Sequence, residues 1–216
     1  MNNSGISHNI SELVLVRHGE TAGESSIRYY GATDIPLSDL GRQQMMRAGD
    51  ALRGIHFRAV ITSPLKRSRE GASLVLNGYK TADVVVEGFR EIDFGDWEGL
   101  TADEIAERHP ELYHEWRVHG RLEGFPGGEK REDFYSRIAV AAEDVFSDIG
   151  LPVLAVLHKG VIRGILSHLL GVPPGNLADQ RIELGSIHRL RKLAAGWELV
   201  VENETAHLGE LRMEHS

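Results

Sequence analysis

Leu13-Val14-Leu15-Val16-Arg17-His18-Gly19-Glu20-Thr21 decides how this chain is read. Four unbroken apolar residues of high β-propensity suit a strand buried on both faces, and the polar residues that follow mark where it leaves the core. In an open parallel sheet, ligands sit beyond the carboxyl ends of the strands. An arginine and a histidine leaving such a strand therefore point into a crevice, and Gly19 lets backbone approach a ligand closely.

The same grammar recurs downstream. Ala59–Thr62, Asp83–Val86 and Val153–Leu157 read as further buried strands. Ser38 is placed to cap a helix running to about Leu52. Ser63-Pro64 reads as a cap and first-turn proline opening a helix to about Leu76. Thr101 and Glu104 form a T-x-x-E capping box for Thr101–Arg108. Glu132–Phe146 and Val161–Leu170 carry helical patterns, and Ser186–Leu193 and Trp197–Val201 flank a turn, as in a hairpin. Alternating strands and helices imply an α/β fold, three layers (α/β/α) around a mostly parallel central sheet. No boundary divides residues 1–216, so one domain is expected, with its core over about 13–193. Residues 90–131 are rich in glycine, charge and aromatics, and read as a partly helical insertion over the sheet.

Composition narrows the functions. The 216 residues include 24 Lys+Arg against 32 Asp+Glu, a net charge of -8, a poor footprint for nucleic acid. The 0 cysteines exclude disulfides, thiolate metal sites and thiol nucleophiles. No apolar run is long enough to span a bilayer, and the polar first ten residues lack a signal-peptide pattern, so a cytoplasmic protein is expected.

Chemistry-bearing residues gather after strands. Arg17 and His18 follow the first, and Arg67 lies in the first turn of the helix after the second, where free N–H groups already favour anions. Arg90-Glu91-Ile92-Asp93-Phe94-Gly95-Asp96-Trp97-Glu98-Gly99 follows the third and sets carboxylates beside aromatics. His158-Lys159-Gly160 follows the fourth. Two histidines, two arginines and a carboxylate in one crevice suit phosphoryl transfer. One neutral imidazole attacks phosphorus, the arginines neutralise the non-bridging oxygens, and a carboxyl group protonates the leaving oxygen.

These motifs, in this order, resemble the histidine phosphatase superfamily, also called phosphoglycerate mutase-like. The resemblance rests on Arg17–Thr21, on Arg28-x-x-Gly31-x-x-Asp34-x-Pro36-Leu37-Ser38-x-x-Gly41, on Ser63-x-Leu65-x-Arg67, on Arg90-Glu91-x-x-Phe94-Gly95-x-Trp97-Glu98-Gly99, on Pro126-Gly127-Gly128-Glu129, and on His158-x-Gly160. It covers about Leu13 to Leu193. It implies His18 as the nucleophile that becomes phosphohistidine. Arg17, Arg67 and His158 would bind the phosphoryl group, and Glu91 would protonate the leaving group and then activate water. No metal or organic cofactor is implied. The implied partner is a small phosphorylated metabolite, and the family contains monomers and homodimers. The short chain is most similar to the small bacterial phosphatases, the α-ribazole type included.

Other residues have competing readings. Arg28 either lines the substrate entrance or is a solvated loop arginine. Glu129 is read as a cap of the helix that follows, Phe94 and Trp97 as packing residues, and His109, His114 and His119 as solvated. Glu24 stands where the family often has Asn, and Lys159 where many members have a small residue. An acidic Glu24 near phosphate would repel it unless turned away or paired. Lys159 would bind a second anionic group or face solvent. A phosphoglycerate mutase is one rival, though the mutases carry a longer basic segment between the acid and second-histidine motifs. A binding protein without catalysis is the other.

Overall fold

A computed structural model describes residues 12–119 and 122–213. Six strands form one sheet: β1 (Glu12–Arg17), β2 (Ala59–Thr62), β3 (Ala82–Val85), β4 (Val153–Leu157), β5 (Ile187–Leu193) and β6 (Gly196–Glu204), ordered β3-β2-β4-β1-β5-β6. The first four are mutually parallel, β5 runs antiparallel beside β1, and the β5–β6 hairpin closes that side. The fold is the expected three-layer α/β/α sandwich with a mixed, mostly parallel sheet.

The pleat of β1 explains the layers. Leu13 and Leu15 face the larger core, shared with α5 (Arg131–Phe146) and α6 (Lys159–Leu170). Val14 and Val16 face the smaller core under α1 (Asp39–Ala51) and α2 (Lys66–Leu76). Alternate side chains of a strand leave opposite faces, so one apolar run serves both layers. Strands β2 and β4 are buried throughout, and β1 is buried from Leu13 onward.

Most local expectations hold. Ser38 caps α1, its side chain accepting from the Gly41 N–H. Thr101 and Glu104 form the reciprocal box that opens α3 (Ala102–Arg108). The insertion continues through α4 (Pro110–His114) and a π-helical turn at Glu115–His119. Three corrections follow. β3 is not buried: it is the sheet's outer strand, paired with β2 on one side only, and mostly exposed. Ser63 does not cap α2; the chain bends at Pro64 and Leu65, where Leu65 takes the cap position with an extended backbone, and the helix starts at Lys66 without a side-chain cap. Glu129 does not cap α5, because its carboxylate is drawn into a two-pronged pair with Arg137. Among the described residues no helix is long and apolar enough to cross a membrane.

Candidate active site

The carboxyl ends of the four parallel strands open at one end of the sheet, and each delivers a residue there. Arg17 is the last residue of β1, and His18 follows it; the His18 N–H donates to Leu157 O, tying the turn to the neighbouring strand β4. Ser63 follows β2, Glu91 follows β3 after one 3-10 turn, and His158 follows β4. Arg17, His18, Arg67, Glu91 and His158 are all buried.

Hydrogen bonds fix the state of both imidazoles. His18 Nδ1 lies 2.7 Å from Gly19 O. A carbonyl oxygen only accepts, so Nδ1 carries the hydrogen and Nε2 keeps its lone pair. Arg67 Nε donates to His158 Nδ1 at 3.3 Å, and His158 Nε2 is 2.7 Å from Ser63 Oγ. With Nδ1 accepting, His158 Nε2 is the donor to Ser63. The two rings meet edge to face, with centroids 5.1 Å apart. Burial, then the charges of Arg67 and Arg17, holds His18 well below the usual imidazole pKa. His158 is lowered by burial and by Arg67. Both are therefore neutral near pH 7.

The guanidinium groups are held by backbone carbonyls. Arg67 donates to Gly31 O at 2.6 Å and Thr33 O at 2.8 Å. Arg17 donates to Ile182 O at 2.7 Å, while its Nε is buried with no hydrogen-bond partner. Burial brings Arg17 down to about 10, against the opposing fields of Glu91 and Glu20, so it stays cationic at neutral pH. Glu91 is tethered at both oxygens: Oε2 accepts from Gly160 N at 2.9 Å and Oε1 from its own neighbour, Ile92 N, at 3.0 Å.

Sequence reasoning missed two supports of this arrangement. Glu98 accepts from the N–H groups of Gly31, Ala32, Thr33 and Phe94 and from the Thr33 hydroxyl. It therefore shapes the loop whose carbonyls hold Arg67. Arg137 donates to the carbonyls of Gly88, Arg90 and Glu91 while paired with Glu129, and so clamps the segment that carries Glu91. An arginine one helical turn from the buried Phe134, on the face that also buries Ile138, was the available signal. Ser63, read as a cap, is the partner of His158.

Arg28 donates to Gly99 O and to Glu104 Oε2, at 2.8 and 2.9 Å, pinning its loop to the start of α3. Glu24 is exposed and lies 3.7 Å from the Arg28 guanidinium, so it is both turned outward and paired. Trp97 is buried in an aromatic cluster with Trp116 and Phe125, and Phe94 packs on Tyr29 and Phe125. His119 is a residue whose side chain lies outside the described set.

The chain is similar to known proteins in sequence and in fold. Residues 13–205 match the family model of the histidine phosphatase superfamily (branch 1). A bifunctional protein of Mycobacterium tuberculosis is 33% identical over 201 residues, covering 92% of this chain and 55% of the relative. The chain thus spans about half the length of that relative. Phosphoserine phosphatase 1 of Hydrogenobacter thermophilus is 30% identical over 205 residues, 94% of this chain and 97% of its own. Among solved structures, a putative alpha-ribazole-5'-P phosphatase from Escherichia coli superposes with a TM-score of 0.81 at 27% identity, covering 91% of this chain and 97% of that one.

Proposed function

We propose that this chain, which belongs to the histidine phosphatase superfamily (branch 1) and is a hydrolase of the phosphoglycerate mutase-like class, hydrolyses small phosphomonoesters through a phosphohistidine on His18. One observation carries the reading. The His18 imidazole is neutral, its Nδ1 hydrogen is committed to Gly19 O, and so the lone pair of Nε2 is available beside two guanidinium groups.

In the first step His18 Nε2 forms the N–P bond as the ester P–O bond breaks. Arg17 and Arg67 offset the charge on the non-bridging oxygens. His158 sits beside the His18 ring, and its Nε2–H, which donates to Ser63 in the free site, turns to a non-bridging oxygen when the phosphoryl group binds. Glu91 gives its proton to the departing alkoxide. In the second step the Glu91 carboxylate takes a proton from water, the water oxygen bonds to phosphorus, the N–P bond breaks, and phosphate leaves. This scheme needs no metal ion or organic cofactor, because guanidinium groups supply the charge that a metal would. The relatives' names give different esters, phosphoserine and alpha-ribazole-5'-P among them, and the element these share is the phosphomonoester.

Phosphate release from a panel of phosphomonoesters, with chelator present and His18→Ala as control, tests the reading. Turnover that survives chelator and disappears in His18→Ala, together with the acid-labile phosphoenzyme, is expected. Turnover retained by the pure variant would refute His18 as nucleophile. Exchange between 2- and 3-phosphoglycerate without phosphate release would instead mark a mutase.

A further inference from the structure

Lys159 lies between two residues of the site. His158 precedes it, and Gly160, whose N–H holds the Glu91 carboxylate, follows it. It is the first residue of α6, half-buried, and one helical turn ahead of Arg163 on the same face. Arg163 spends its Nε and one terminal nitrogen on the carbonyls of Leu177 and Ala178, neither of which cancels its charge. Arg117, from the insertion, has its guanidinium over the Trp116 ring, and of the charges that act on Lys159 its field is the weakest. Among the described residues, Lys159, Arg163 and Arg117 form no ion pair. Glu91 is the carboxylate that bears on Lys159, and it is tied to Gly160 and Ile92.

A phosphoryl group answers the charges of Arg17 and Arg67. It leaves Lys159, Arg163 and Arg117 without an ion-pair partner among the described residues, in a chain whose net charge is -8. Half-burying an ammonium group among other cations costs free energy unless something anionic arrives. The same crowding brings Lys159 down to about 8, through burial first and then Arg17 and Arg163.

We propose that Lys159, flanked by Arg163 and Arg117, receives a second anionic group of the substrate, so that the preferred substrates are phosphomonoesters that also carry a carboxylate or a second phosphate. The proposal rests on the phosphatase reading above and adds the substrate's second charge.

The test compares pairs with and without the second charge: 2-phosphoglycolate against its methyl ester, and propane-1,3-diol bisphosphate, corrected for its two equivalent esters, against the monophosphate. The readout is the ratio of kcat/KM within each pair. The wild-type protein should favour the anionic member by about ten-fold or more, the scale of one charge-assisted hydrogen bond. In Lys159→Met the ratio should approach one, and Lys159→Arg should recover much of it. The pair with the larger ratio tells carboxylate from phosphate. A wild-type ratio near one in both pairs, or a ratio unchanged in Lys159→Met, overturns the proposal. Dissociation constants of the same compounds, measured on His18→Ala proteins with and without Lys159→Met, give the same ratio without turnover. Failure of the hydrolysis reading is then told apart from failure of this one.

Discussion

Replacing Gly160 with alanine tests the proposed proton donor, Glu91, apart from the rest of the site. A Cβ at this position would lie 2.5 Å from Glu91 Oε1 and 3.0 Å from Phe134 Cζ. Phe134 is 2% exposed and sits in the larger core, so it has little room to retreat. The carboxylate must give way instead, by roughly 0.8 Å, to reach an ordinary carbon–oxygen contact. A misplacement of about 1 Å costs on the order of a hundred-fold in rate. Folding should survive, because overpacking of about 1–3 kcal/mol is partly offset by about 1 kcal/mol of helix propensity. At roughly 2–4 °C per kcal/mol for a chain of this size, Tm should fall by less than about 10 °C. The assay is the pre-steady-state release of alcohol, which reads the first step alone. An alkyl phosphate, whose alkoxide needs a proton, should slow by roughly a hundred-fold. p-Nitrophenyl phosphate, whose leaving group departs without one, should slow far less. Equal losses for the two esters would refute Glu91 as the proton donor, and no loss for either would show that the carboxylate does not depend on its contact with Gly160.

Glu98→Gln should loosen the loop that presents Gly31 O and Thr33 O to Arg67, weakening competitive inhibition by inorganic phosphate by about ten-fold; an unchanged inhibition constant would show that the loop holds its shape alone. An NMR titration of His18 should find it neutral well below pH 6.5, and Arg67→Gln, which removes the larger of the two charges acting on it, should move the midpoint upward; a midpoint at or above 6.5 in the wild-type protein would contradict the burial argument. His188 is buried and lowered to about 4 by desolvation, so between about pH 6.5 and 4 the unfolded chain binds a proton that the folded chain refuses. Its contribution to stability is present above the unfolded pKa and lost as pH falls through that window, at up to ~1.4 kcal/mol per pH unit. Denaturant unfolding should therefore show a shallower acid slope in His188→Leu, and identical slopes would show that this ring titrates alike in both states.

The parts of the fold legible in the sequence were those settled by neighbours in the chain. Apolar runs marked β1, β2 and β4, and the Thr101–Glu104 box marked α3, because each signal acts over a few residues. β3 was misread for a physical reason. Val84-Val85-Val86 has the composition of a buried strand, and what exposes it is its place at the sheet's edge, which no local pattern records. Ser63 failed likewise. A serine before Pro64 suits a cap, but His158, 95 residues away, takes its hydroxyl. Arg137 and Glu98 act on segments distant in sequence, so their positions became readable only once the chain was folded.

The supports hidden from the sequence share a logic that bears on the chemistry. A guanidinium fixed by a carboxylate would meet a phosphoryl group with its charge already cancelled. Here Arg17 and Arg67 are oriented by Ile182 O, Gly31 O and Thr33 O, dipoles without net charge. The carboxylate that stabilises this arrangement, Glu98, acts one step away, through the N–H groups of the loop. Glu91, which lies closer, is held by the N–H groups of Ile92 and Gly160 and forms no ion pair with either arginine. Carboxylates thus act on the two arginines through their fields and not by direct pairing, which leaves the guanidinium groups oriented by dipoles, the condition under which fixed charges stabilise a developing anion without reorganising. The burial that this demands is also what keeps His18 neutral, so the proposed nucleophile and the proposed anion site are two results of one packing arrangement.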